Sequence, residues 1–368
     1  MGLPIKTNKP LSNNMLTGGG KSSRSVGLDI VRTIACLTVI ASHYFLYAPF
    51  NSSEFSGISM YLQGMLSSIV IGSDLYMILT GFLCCNKQFG KKFYLGGVKV
   101  ILSYIFFSLL TIVVNVYVFH TGMTWQSGLL GILSFSTIPY AWYIEMWIGL
   151  FLLAPFLNIW YKALPGKRMK LYLIGLLFLL SVLPDFFNRY GMYIAPQYWE
   201  NIYPLAFYFT GSYIREYRPM VPGRILLTIV LLITMISPSV TMLVGYPTFL
   251  HIIGDRNGIF VGALAISIFI AFYQTEIKAT GVKAVFKAIS LRSLDIFLCS
   301  AIMDYYIYPL FKEHFFVNQS QFGIYYFVIV PLIFAICFTI ASGKRILFDI
   351  AGIIFKKANV NVVLQSAG

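Results

Sequence analysis

Ten apolar runs, most of them close to the ~20 residues that span ~30 Å of hydrocarbon, constrain the fold of this chain more than any other feature. They fall at Val26–Tyr47, Gly64–Cys85, Val98–Phe119, Ala141–Tyr161, Leu171–Phe187, Ile202–Ile214, Ile225–Val244, Gly258–Tyr273, Leu294–Phe311 and Tyr325–Ala341. The polar residues left over cannot cover a water-facing globule of 368 residues. Only 11% of the chain is charged, against about 25% in a typical soluble domain, and mean hydropathy is +0.77. A lipid-facing surface removes the conflict, because lipid accepts apolar side chains directly. The pattern predicts an all-α, polytopic integral membrane protein of about ten transmembrane helices. The fifth and sixth runs are short. Leu129 to Ile138 is apolar but too short to span, and reads as a re-entrant or interfacial segment.

The net charge of +14 is distributed in a way that sets orientation rather than nucleic-acid binding. Basic residues cluster in alternate connecting segments: Lys6, Lys9, Lys21 and Arg24; Lys87, Lys91 and Lys92; Lys162, Lys167, Arg168 and Lys170; Arg215, Arg218 and Arg224; Lys278, Lys283, Lys287 and Arg292; Lys344, Arg345, Lys356 and Lys357. The other set carries only Arg189, Arg256 and Lys312, while Arg32 and Lys99 fall within runs. By the positive-inside rule both termini are cytoplasmic. Residues 1–25, rich in Lys, Ser, Asn and Gly, read as a disordered cytoplasmic tail. Residues 26–345 read as the transmembrane domain and 346–368 as a cytoplasmic C-terminal tail. The first run is too long for a signal-peptide core and lacks an A-x-A site, so it reads as a retained helix. The five cysteines lie inside apolar runs and read as small buried hydrophobes.

Ionisable residues inside a span are costly and mark function by default. The first run, GLDIVRTIACLTVIASHYF, holds Asp29, Arg32 and His43. Eleven residues at about 100° each bring His43 back to the face of Arg32, about 16 Å further along the axis. Asp29, three residues before Arg32, is within ion-pairing reach; the pair serves either the helix entrance or a substrate. Near the inner face, Arg32 and Lys99 are cations of the kind that phosphate groups need. Towards the outer face lie His43, Trp142, Glu145 and Asp304, with Asp74 between the two layers. Histidine can serve as a base or a nucleophile near neutral pH, and Glu145 or Asp304 would orient it. His120, His251 and His314 read as solvated loop residues. No metal-ligand spacing, Walker motif or G-x-S-x-G occurs, and no metal or bound cofactor is expected.

These residues resemble the acyltransferase-3 family. Arg32, ten residues and His43 match its R-x10-H signature, with Asp29 in the usual D-x-x-R form. GSDLYMILTGF (Gly72 to Phe82) resembles its G-x-D-x-F-F-x-x-S-G-F stretch, with Tyr76 and Thr80 as conservative replacements. AWYIEMWIGLFLLAPFLN (Ala141 to Asn158) resembles its W-[FY] segment through Trp142 and Tyr143, and SLDIFLCSAIMDYYIYPLF its penultimate helix. The chain departs from the family at VKVILSY, where Lys99 stands for an arginine pair and Ser103 for a proline, and near Ser300 and Ala301, where a histidine is common.

The resemblance implies a membrane O-acyltransferase that moves acetyl from acetyl-CoA to a surface polysaccharide or lipid-linked saccharide, in a bacterial cytoplasmic membrane. Expected partners are acyl-CoA, the glycan and the bilayer, with a homo-oligomer or polysaccharide-assembly proteins as further candidates. His43, Asp29, Arg32, Glu145 and Asp304 are the expected catalytic set; Arg32, Lys99, Asp74, Tyr76, Trp142 and Tyr143 are the expected substrate-binding set. A transporter or flippase for a glycan or lipid-linked precursor is the rival reading, and a non-catalytic assembly subunit a third. A transporter would favour inverted repeats and broken helices, and the sequence shows no convincing pair.

Overall fold

The first run forms a helix from Val26 to Tyr47, α1, with the boundaries that the sequence predicts. Asp29 lies in its first turn, where a carboxylate complements the helix dipole. Pro49 ends it: Ala48 is extended, as a residue before proline prefers to be. The computed structural model describes residues 24–188, 193–252 and 258–365. Within the expected N-terminal tail, residues 1–23 lie outside the described residues, as do Lys6, Lys9, Lys21, Arg189 and Arg256 among the basic positions. Every regular element among the described residues is helical.

The second run is two helices rather than one, α2 (Gly57–Ser67) and α3 (Gly72–Cys84), broken at residues 68–71. The sequence there explains the break. Ser67 and Ser68 both turn their hydroxyls back onto the Gly64 carbonyl, and the β-branched Ile69, Val70 and Ile71 follow. An interrupted helix at membrane depth is tolerated where it lines a cavity.

Next come α4 (Lys91–Leu95), α5 (Val98–Tyr117) and the short α6 (Trp125–Leu133), opened by a Thr124–Ser127 capping box. The non-helical stretch after α6 is held by Thr137 donating to the Gly128 carbonyl and by Tyr104 of α5 donating to the Ile132 carbonyl. The order continues with α7 (Trp142–Ala163), α8 (Gly166–Asn188), α9 (Tyr203–Tyr217), α10 (Gly223–Val244) and α11 (Ile259–Phe272). α12 (Thr280–Ser290), α13 (Ser293–Phe315), α14 (Gln319–Phe322) and α15 (Tyr326–Gln365) complete it. α12 occupies a stretch that reads as a connecting loop. It is an amphipathic helix packed on α1, with Lys283 and Lys287 exposed. The backbone of α15 stays helical well past Ala341, where the last apolar run ends.

Seven of the described segments are long and apolar enough to cross a membrane: α1, α2 with α3, α4 with α5, α7, α10, α13 and the stretch Gln319–Asp349. The chain is therefore a multi-pass helical membrane protein. α8, α9 and α11 would complete the ten. α9 and α11 have only 15 and 14 residues, short of a full crossing. α3 and α9 meet backbone to backbone, because Gly81 rests on the Tyr208 carbonyl and Gly211 on the Ile78 carbonyl, and a Cβ at either glycine would overlap the facing chain. Two lysines placed in loops by their charge are instead buried in ion pairs. Lys344 of α15 meets Asp295 of α13 at 2.5 Å and Ser103 of α5 at 2.6 Å, and Lys170 of α8 meets Glu216 of α9 at 2.8 Å.

Candidate active site

α1 carries a stripe of site residues along its length, and two cavities open along that stripe. His43, with Val39 and Ser42 on the same face, lines a cavity of about 210 Å³. Arg32, nearer the helix start, lines a second of about 300 Å³. The two share the side chains of Tyr76, Tyr143 and Phe297, so a single aromatic partition separates them. α3 supplies Tyr76, α7 Tyr143 and α13 Phe297. The Gly81–Gly211 contact fixes how closely α3 is drawn into the bundle.

His43 is 4% exposed. Its Nδ1 lies 2.8 Å from Oδ2 of Asp304, which is fully buried on α13. The carboxylate oxygen sits off the ring N–H direction, so the contact is a close electrostatic pair rather than an aligned hydrogen bond. Asp304 is seven residues beyond Phe297, two turns along one face of α13, which sets the carboxylate behind the cavity wall. Tyr140 donates its hydroxyl to the same Oδ2 at 2.9 Å and stacks on the imidazole, with ring centroids 3.8 Å apart. Its single proton is then engaged, so Tyr47, 2.9 Å away, donates to the Tyr140 oxygen. With Nδ1 against the carboxylate, Nε2 is the ring nitrogen left for chemistry. The carboxylate fixes the ring and offsets a positive charge on it, the arrangement that lets a histidine take and return a proton.

At the other end of α1, Asp29 is buried. Arg24 holds it by Nε at 2.7 Å and Nη2 at 2.6 Å. Arg32 stands further off, its Nη1 3.6 Å from Asp29 and 3.4 Å from the Ser290 hydroxyl at the end of α12. Two guanidiniums thus share one carboxylate, leaving a net positive charge beside the second cavity.

The remaining expected site residues divide. Trp142 and Tyr143 line the His43 cavity, and Tyr76 and Tyr143 line both. Asp74 is buried and accepts from Ser73 at 3.3 Å, outside both linings. Lys99 and Glu145 are exposed and line neither cavity, so the carboxylate that meets His43 is that of Asp304. His251, which reads as a solvated loop residue, lines the His43 cavity, with Nε2 2.9 Å from Oδ1 of Asn51. Tyr140, Tyr47, Asn51, Phe297, Arg24 and Ser290 are additions that no motif or helical spacing marks.

The sequence model of the acyltransferase-3 acyltransferase domain matches residues 25–342. No curated protein and no solved structure matches the chain. The matched stretch takes in α1 with Asp29, Arg32 and His43, Asp304 on α13, and the lining of both cavities. The chain therefore belongs to the acyltransferase-3 family of membrane acyltransferases.

Proposed function

We propose that this protein transfers an acyl group, acetyl from acetyl-CoA, to a hydroxyl of a surface polysaccharide or lipid-linked saccharide in a bacterial cytoplasmic membrane. The observation that carries this reading is the pairing of His43, in one cavity, with Asp304 behind it, where that cavity shares a wall with a second, cationic cavity at Arg32. In this reading the Arg32 end faces the cytoplasm, where acyl-CoA is made and where the basic segments concentrate. Both termini are on that side. Arg32 contacts the donor phosphates, and the narrow pantetheine arm passes between Tyr76, Tyr143 and Phe297 to bring the thioester to His43.

At His43 the balance is simple. The acceptor O–H and the thioester C–S bonds break, the ester C–O bond forms, and the hydroxyl proton ends on the coenzyme A sulfur. In the direct route Nε2 takes the proton from the hydroxyl and returns it to the departing thiolate. In the covalent route Nε2 attacks the thioester carbonyl and expels the thiolate, then yields the acyl group to the hydroxyl, whose proton passes by way of the imidazole to the thiolate. Broken helices also occur in transporters, but here the α2–α3 break lines the cavity that His43, backed by Asp304, also lines. Mass spectrometry of surface glycans tests the reading. A deletion strain should lack an O-acetyl group that the wild-type gene restores and the His43→Gln gene does not. Unchanged glycan mass on deletion would remove it.

A further inference from the structure

The lining of the His43 cavity is of two chemical kinds. One is aromatic and catalytic: His43, Tyr140, Trp142, Tyr143 and Phe297. The other is a wall of small hydroxyls, Ser42 of α1, Ser67 and Ser68 at the helix break, Ser73 of α3 and Ser237 of α10, closed by Asn51 and His251. Among the described residues no Lys, Arg, Asp or Glu lines this cavity, in a chain of net charge +14.

The directions of the hydroxyl protons sharpen the point. Ser42 donates to the Val39 carbonyl at 2.7 Å, Ser67 and Ser68 both donate to the Gly64 carbonyl at 2.9 Å, and Ser73 donates to Asp74 Oδ1 at 3.3 Å. A serine has one proton and two lone pairs. With these protons engaged by the protein, the oxygens present acceptor capacity to whatever enters. The amide of Asn51 is similarly engaged, donating to the Phe45 carbonyl at 3.4 Å while its oxygen meets His251. An acceptor-rich wall suits a ligand that arrives with many O–H donors. It suits poorly a carboxylate, phosphate or sulfate, which bring only acceptors and a charge that no Lys or Arg in the lining meets, the one histidine beside Asp304 being already offset by it. An anion taken from water without compensating donors is strongly disfavoured.

We propose that this serine wall is the acceptor subsite, and that it admits an uncharged polyhydroxyl unit while excluding sugars that carry an anionic group. The inference rests on the reading of the cavity as the place of acyl transfer and narrows its acceptor class. Trp142, among the aromatic side chains of the lining, gives the apolar face of a sugar ring a flat surface to lie against.

The test uses the full-length protein in nanodiscs with acetyl-CoA and matched pairs of methyl glycosides. Gluco-, galacto- and manno-hexopyranosides are each set against the uronate of the same configuration. CoA release is followed for each, and binding by saturation-transfer NMR. The expected result is that at least one neutral sugar binds and raises CoA release, with its uronate at least about tenfold weaker in kcat/KM. Ser42→Ala with Ser73→Ala should raise the sugar KM relative to the acetyl-CoA KM. Uronates used as well as, or better than, their neutral partners overturn the proposal. So does a protein that releases CoA from acetyl-CoA into water but binds no member of the panel; that result leaves the acyltransferase reading standing. Selective binding of neutral sugars with no CoA release on any acceptor supports the subsite and removes the acyltransferase reading.

Discussion

Asp304→Asn isolates the charge beside His43. The amide is isosteric, can still accept from Tyr140, and leaves α13 packed as before. What it removes is a fully buried negative charge 2.8 Å from Nδ1. At an effective dielectric of about 20, the Coulomb attraction between that carboxylate and a protonated imidazole is at most about 6 kcal/mol. At about 1.4 kcal/mol per decade, this bounds the loss near 10⁴-fold. Tyr140 and Tyr47 relay some compensation to the remaining oxygen, so the expected fall in kcat is about 10³-fold. The control is Glu145→Gln, which removes an exposed carboxylate outside both cavities and should stay within about threefold of wild type. The assay is acceptor-dependent CoA release by protein in nanodiscs, compared only between variants with the same size-exclusion profile. Near-normal kcat in Asp304→Asn, or an equal loss in Glu145→Gln, would refute the assignment of Asp304 as the group that orients and offsets His43.

The contrast between these two acids shows where the sequence is legible. Both are single carboxylates in apolar runs, so hydropathy alone treats them alike. The register of α13 against α1, a tertiary quantity, turns Asp304 onto His43 and leaves Glu145 outward. The α1 boundaries and the Arg32–His43 face could be read in advance, because they follow from helical period within one element. The α2–α3 break could not, since SSIVI is as apolar as a continuous span and the interruption comes from serine hydroxyls bonding to their own helix. Tyr140 escaped for a related reason: it lies in a non-helical stretch with no period to mark it. Lys344 and Lys170 were assigned to loops by their charge, yet each is buried against an acid from another helix.

Arg32→Ala should weaken acyl-CoA binding by at least about tenfold in equilibrium titration, and Arg32→Lys should recover only part because the planar fork is lost; unchanged affinity returns Arg32 to a structural role with Asp29. Lys344→Met should lower the melting temperature in detergent by leaving the largely enclosed Asp295 carboxylate without its lysine, a loss on the order of 3 kcal/mol. The pair Lys344→Met with Asp295→Leu should recover most of that loss, and a double variant as unstable as the single one would count against the ion-pair account. Reporter fusions after Lys92, Lys170, Arg218 and Lys287 should read cytoplasmic and those near Glu54, Trp125 and His314 external; two or more reversals remove the ten-crossing topology.

The central claim is that His43 performs the acyl transfer, and it is tested most directly by labelled acetyl-CoA and purified protein. Wild-type protein in nanodiscs should move radiolabelled acetyl onto an accepted sugar and release one free thiol for each ester formed. His43→Gln keeps a hydrogen-bonding side chain of similar reach but has no useful basicity and no nucleophilic ring nitrogen. With its size-exclusion profile unchanged, it should form no labelled ester above background while still binding acetyl-CoA at the Arg32 end. A well-folded His43→Gln protein that forms the labelled ester at a near-normal rate would contradict histidine chemistry at this site, and with it the account of the cavity built around His43 and Asp304.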